Sequence, residues 1–252
     1  MKSMTVRHCI CAIVALTAGF SANAVSGASN QTSTDLASLG VISTYDVAPA
    51  PKHRAMPVYP YEQLIQGRAG WAAASFVIDY TGRPLFTNPR ASSEPAFAKS
   101  VVAMVEASEY SPGKRNKHSV MSPSQEEFQF LEESFDADAR RVLAQLRKGE
   151  KFPAVSQLDE RPHAVRQDSP AYPRALKDDG ITGQAEIEFV IDRDGRVLFP
   201  RIISASHEDF GWAAATAVAQ WKFQPPQLNG QKVEAVMRVP ILFDAHKLAS
   251  AD

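Results

Sequence analysis

The chain has 252 residues, 27 basic against 28 acidic, for a formal net charge of −1. At ~150 residues per domain that length holds one large domain or two small ones. Neither the charge balance nor any Lys/Arg run supplies the basic face that phosphate binding needs, which excludes nucleic acid as the main partner. A hydrophobic content of 44% with 22% charged residues excludes a wholly disordered chain and a polytopic membrane protein.

The first element is a secretory signal, residues 1–24. Lys2 and Arg7 form its positive start, Cys9 to Phe20 is an apolar run, and Ala22-Asn23-Ala24 is a small-x-small cleavage site. The run falls short of the ~20 residues that span a bilayer. Cleavage after Ala24 removes both cysteines, so disulfides, thiolate metal sites and cysteine nucleophiles are not expected in the mature chain. The alternative is an uncleaved membrane anchor. Residues 25–44, rich in Ser, Ala, Gly, Asn and Thr, read as a flexible lead-in.

From residue 45 onward the chain repeats itself at an offset of 113. Pro57-Val58-Tyr59-Pro60 falls on Pro170-Ala171-Tyr172-Pro173, Phe76-Val77-Ile78-Asp79 on Phe189-Val190-Ile191-Asp192, and Gly82-Arg83 on Gly195-Arg196. Gly70 meets Gly183, Phe97 meets Phe210 and Phe130 meets Phe243, without a gap. Two copies of one small fold are expected, 45–130 and 159–245. Between them lies a connector, 131–158, with an amphipathic helix over 134–149. Ser134 is its candidate cap, and Phe135, Ala139, Val142, Leu143 and Leu146 form one face. That face either holds the copies together or, if exposed, binds a partner.

In the second copy, Tyr172-Pro173 opens a short helix over 174–179, which Gly180 ends. Residues 184–191 alternate as a half-buried strand, Asp192-Arg193-Asp194-Gly195 makes a hairpin turn, and 196–203 is the partner strand. Ser206 is the candidate cap of a helix on which Phe210, Ala213, Ala214, Ala217, Val218 and Trp221 recur at three-and-four spacing. A last strand runs over 233–243. The expected fold class is α+β: in each copy a three-stranded antiparallel sheet with two helices on one face.

Together these motifs resemble the C-terminal domain of TonB, the periplasmic energy transducer of Gram-negative bacteria. The resemblance rests on Pro170-x-Tyr172-Pro173, Gly183, Asp194-Gly195-Arg196-Val197, Trp221-Lys222-Phe223-x-Pro225 and Val239-Pro240-Ile241-x-Phe243. The first copy is similar but degenerate, with Ser108 in the place of Trp221, Gly113 for Pro226 and Lys117 for Gly230. A full TonB carries an uncleaved N-terminal transmembrane helix and a long proline-rich spacer, and neither feature is read here. The resemblance implies a non-enzymatic periplasmic protein-interaction module linked to TonB-dependent transport.

It also implies a partner, the N-terminal peptide of an outer-membrane receptor, bound by sheet-edge addition. Carried onto this sequence, the partner-binding residues are Gln167, Asp168, Ser169, Pro170 and Tyr172, with Val233, Ala235 and Met237. Two alternatives stand beside this reading. One is an assembly protein whose modules pair with each other or with another chain through their sheet edges. The other is an energy transducer anchored in the inner membrane by an uncleaved N-terminus, which would be its only direct membrane contact.

No catalytic residue, metal or cofactor is expected. His207-Glu208-Asp209 reads as a helix start, no zinc or nucleophile-elbow motif occurs, and Asp192-x-Asp194-Gly195 lacks the remaining ligands of a calcium loop. Arg83 and Arg196 read as solvated turn residues. Trp221 is expected in the core, and Trp212, on the opposite side of the helix, is a contact candidate.

Overall fold

The computed structural model describes residues 40–245. The signal segment and most of the lead-in lie outside the described residues. Among the described residues, no helix is long and apolar enough to cross a membrane.

The first unit begins with a short strand, β1 (Ala50–His53), followed by α1 (Tyr61–Ile65), the hairpin β2 (Gly70–Ile78) and β3 (Pro84–Ser92), and α2 (Pro95–Glu106). Three short strands come next, β4 (Glu109–Ser111), β5 (Gly113–Arg115) and β6 (His118–Val120), before β7 (Ser122–Phe130). The connector carries α3 (Ala137–Arg147). The second unit runs β8 (Ala164–Arg166), α4 (Arg174–Asp178), β9 (Gly183–Ile191), β10 (Val197–Ala205) and α5 (Glu208–Val218). It continues with β11 (Lys222–Phe223), β12 (Gln227–Leu228), β13 (Gln231–Lys232) and β14 (Ala235–Phe243).

The long strands form two separate antiparallel sheets, ordered β3-β2-β7 and β10-β9-β14. Every long strand of the first sheet recurs 113 residues on, with the same bounds. The irregular backbone recurs too: Phe86 and Phe199 both have φ 53°, and Asn116-Lys117 (51°, 67°) matches Asn229-Gly230 (53°, 75°). Lys117 therefore adopts the left-handed conformation of the glycine it replaces, at a cost of roughly 1–2 kcal/mol.

Alternation along β9 sends Ala185, Ile187, Phe189 and Ile191 onto α5, where Phe210, Ala214 and Val218 complete a core with Trp221 and Phe243. In the first unit, Phe76, Ile78, Phe97, Val101, Val105 and Phe130 take the same places. The two cores exchange residues: Val58 packs in the second, and Val190 and Phe199 pack in the first.

The connector helix buries Ala139, Val142 and Leu143 against the first core. Phe135 bridges the units, its ring centroid 5.9 Å from Tyr59 and 5.3 Å from Phe199. Arg141 reaches the buried Glu234 at 2.5 Å, and Arg193 pairs with the same carboxylate at 3.0 Å. The connector's apolar face is thus an internal seam.

Several local expectations are corrected. The cap of α3 is Asp136, which accepts from Ala139 N at 2.8 Å, because Ser134 sits in a 3-10 turn bonded to Leu131 O. The cap of α5 is His207, whose Nδ1 accepts from Asp209 N, while Ser206 Oγ accepts from Gln184 N and so ties the helix start to β9. The last strand starts at Ala235, since Val233 N donates back to Pro226 O. Arg196 is not a solvated turn residue: it clasps Asp136 at 2.5 Å and Asp192 at 2.7 Å, and these partners hold its guanidinium above the usual range.

The units do not pair through sheet edges, as one reading held. They meet through α2 and α5, with Lys99 held by Glu208 (3.3 Å) and Asp209 (3.4 Å), and through Arg201, whose guanidinium lies 5.0 Å from the Tyr61 ring centroid. The reason lies in α5, where Ala213, Ala214, Ala215 and Ala217 are all buried, so small side chains on more than one face allow a second helix to approach.

Candidate functional site

The site expected from the resemblance has two parts, the extended segment before Tyr172-Pro173 and the last strand. The extended segment is built by β8, which pairs with β11 through Lys222↔Arg166 and Phe223↔Ala164. It is pinned by Trp221, buried at the end of α5, whose Nε1 donates to Asp168 O at 2.8 Å. In the first unit Ser108 does the same work by a different bond, its Oγ accepting from Ala55 N at 3.0 Å and donating to Met104 O at 2.6 Å. Gln167, Asp168 and Ser169 are exposed, and Pro170 and Tyr172 are half-buried. Asp168 is paired to Arg166 at 2.6 Å.

Tyr172 has a structural task. Its ring stands edge-on to Phe210 and Phe243, each 5.5 Å away, and its hydroxyl donates to Ile181 O. Tyr59 repeats this arrangement, donating to Arg68 O at 2.9 Å.

On the last strand, Ala235 and Met237 are buried, their side chains in the core, and Val233 is half-buried ahead of the strand. Val236 N donates away from the sheet, to Pro153 O of the connector at 2.9 Å, and Ala154 forms a parallel bridge with Val236. The start of the expected edge is therefore already occupied by the chain itself. Because outward and inward main-chain groups alternate in an antiparallel ladder, the residues sharing Val236's orientation are Arg238, Pro240 and Leu242. Pro240 has no N–H, so the outward donors past the connector are Arg238 and Leu242. Leu242 is 74% exposed, and Arg238 pairs with Glu188 at 2.6 Å. The opposite edge, β10, is broken by two register shifts and carries Pro200.

The structure brings Asp168, Ser169 and Tyr172 together on one cavity of about 660 Å³ between the units, walled also by His53, Arg83, Glu106, Arg166, Arg174 and Lys177 among others, and Tyr172 in addition meets Phe243 at the far end of β14. Glu106 closes α2, and its carboxyl is pushed up to about 7, chiefly by burial and next by the Asp209 charge, while the Arg174 N–H and charge oppose the shift. A second cavity, of about 550 Å³, lies on its other side between β3–α2 and α4–α5.

Trp212 is half-buried and lines this second cavity, and its Nε1 lies 3.4 Å from Glu208 Oε1. It faces the other unit within the chain, where the sequence had marked it as a contact candidate. Sequence reasoning missed these cavities; the available signal was the alanine-rich, apolar-all-round pattern of α5. Among the described residues there is no group of acidic or His side chains able to hold a metal ion.

The family described as the Gram-negative bacterial TonB protein C-terminal matches residues 168–245. Protein TonB of Vibrio cholerae is 35% identical over 88 residues, covering 34% of this chain and 36% of that protein. Protein TonB of Pseudomonas aeruginosa is 30% identical over 93 residues, covering 36% of this chain and 27% of that one. The matches therefore span about a third of these relatives' length. The solution NMR structure of the Pseudomonas aeruginosa TonB CTD aligns at 28% identity over 34% of this chain and 88% of that one, with a TM-score of 0.28. The strand–turn–strand–helix–strand segment within residues 168–245 is thus the part of the chain that matches the TonB C-terminal domain family.

Proposed function

We propose that the chain is a non-enzymatic, periplasmic interaction protein built from two tandem TonB C-terminal-like units, exported by a cleaved signal over residues 1–24. Its second unit binds an extended peptide, of the kind found at the N-terminus of an outer-membrane receptor, by adding it to β14. The observation that carries this reading is the outward row of main-chain groups from Arg238 to Leu242, which no strand covers among the described residues. The peptide would lie further along the strand than the resemblance alone implied. Pro153 already takes the Val236 N–H, and Ala235 and Met237 face inward. Tyr172 supports the same end of the strand through Phe243, and Asp168 to Pro170 would contribute only if the peptide turned toward the other unit.

The test is a titration of the full mature chain with a receptor N-terminal peptide, followed by backbone chemical shifts. Arg238 and Leu242 amides are expected to move while Val236 stays still. Leu242→Pro, which removes one outward donor at a position where an edge strand tolerates proline, is expected to weaken binding about tenfold. Absence of any shift between Arg238 and Phe243 at saturating peptide would sink the proposal.

A further inference from the structure

The cavity of about 660 Å³ between the units is walled by charged side chains from both of them. Its carboxylates are all engaged. Asp168 pairs with Arg166 at 2.6 Å, Asp178 with Arg174 at 3.4 Å, and Glu109 with Lys52 at 3.7 Å. Glu106 accepts the Arg174 N–H, and its carboxyl, pushed up to about 7 chiefly by burial, carries less than a full charge near neutrality. Two cations on the same walls have no such match. Arg83, from the first unit, and Lys177, from the second, make no ion pair or side-chain hydrogen bond among the described residues.

The internal repeat shows why Arg83 is left free. Its counterpart Arg196 is held by Asp192 at 2.7 Å and by Asp136 at 2.5 Å. In the first unit Asp79 stands in the place of Asp192, but its Oδ1 accepts from the Thr81 hydroxyl at 2.7 Å and from the Thr81 and Arg83 N–H groups. The Arg83 guanidinium lines the cavity instead, at a position where its twin has two carboxylates.

We propose that this cavity binds an acidic stretch of a partner polypeptide, whose carboxylates pair with Arg83 of the first unit and Lys177 of the second. Charge complementarity sets the sign of the occupant. With the carboxylates of the wall already matched, the surplus is positive, and an arriving anion displaces no existing pair. Size and lining set its class. The volume of about 660 Å³ falls in the ~300–1,000 Å³ range of sites that hold a ligand of several groups, more than one small anion fills. Pro84, Ala107, Ala171 and Ala217 place apolar surface among the charges, and Ser169 offers a hydroxyl, which suits a chain bearing carboxylates rather than a free ion. Because the two cations come from different units, the site exists only while the units are docked.

The experiment titrates an N-acetylated, amidated tetraglutamate peptide, with the tetraglutamine peptide as control, into the isotope-labelled mature chain at about 0.01 M salt. The Ala107, Ser169 and Ala171 amides are expected to shift with a dissociation constant on the order of 1 mM, and the control to leave them unmoved. Raising the salt to about 0.15 M shortens the Debye length from ~30 Å to ~8 Å and should weaken binding several-fold. Arg83→Ala and Lys177→Ala are each expected to weaken the acidic peptide about threefold or more, whereas Arg83→Lys, which keeps the charge, should stay within about twofold of the parent. Lys232→Ala removes the same charge from a strand outside the cavity and should also stay within about twofold. Inorganic phosphate is expected to bind about tenfold more weakly than the peptide. Equal shifts with both peptides, no shift at the cavity amides, Lys232→Ala weakening binding as much as Arg83→Ala, or phosphate binding as tightly as the peptide would each overturn the proposal. None of these readings depends on peptide binding at β14.

Discussion

At Gly195 the hairpin turn of the second unit has φ +81°, and a Cβ there would stand 1.9 Å from Phe223 O. Gly82 repeats the geometry against Tyr110 O, also at 1.9 Å. The turn is tied to the strand after the main helix through Phe223 N, which donates to Gly195 O at 2.8 Å. Gly180 also has positive φ, +65°, but nothing lies within 4 Å of its would-be Cβ. The two positions separate conformational strain from collision. Gly180→Ala is expected to cost about 1 kcal/mol from backbone strain alone, and Gly195→Ala more than about 3 kcal/mol because main chain must move as well. Urea denaturation of the two variants checks the ordering. The glycines themselves were legible as turn residues. The collision with the strand after the helix was not, because it joins positions 28 residues apart in sequence.

Among elements, the three-stranded sheets follow from alternation and turn chemistry, and their bounds could be read within a few residues from either copy. The short strands β1 and β8 could not. Each is held to its unit through a different side chain, Ser108 in one and Trp221 in the other, so the pattern that marks one does not mark its twin. The connector helix was legible as amphipathic, but its neighbours were not. Its buried face makes Leu143 a test of how firmly it is seated: at 2% exposure, Leu143→Ala is expected to cost about 2–5 kcal/mol. The cost should appear as a lower urea midpoint for the whole chain if α3 and the first core unfold together. A separate early transition would show that the connector melts alone.

For the whole molecule, the contact between units contains a group that titrates near neutrality. The Glu106 carboxyl ordinarily titrates near 4.5, and the fold raises it to about 7. The folded chain therefore holds this proton more tightly than the unfolded chain does. Its contribution to stability is fully present below pH ~4.5 and is lost as pH rises through about 7. The loss amounts to about 3 kcal/mol at 1.36 kcal/mol per pH unit. Glu106→Gln keeps a neutral hydrogen-bonding group there and is expected to gain on the parent chain between pH 5 and pH 8. Urea midpoints measured across that range check the sign, and a parent chain whose stability ran parallel to the variant's would exclude the role. The same group borders both cavities between the units, so a stability change here would be accompanied by a change in how the units meet.

The amino-acid sequence by itself determined the 113-residue register, the sheet and helix order, the turn glycines and the kinship of residues 168–245. Each depends on neighbours within a few positions or on spacing along one chain. Only the tertiary structure decided that Pro153 covers the start of β14 and that Ala235 and Met237 point inward. It alone showed that the units meet through α2 and α5 rather than edges. These outcomes depend on contacts between residues from about 45 to more than 100 positions apart, such as Met237 with Phe189, Val236 with Pro153 or Lys99 with Asp209, and no local periodicity encodes which distant surface will be close.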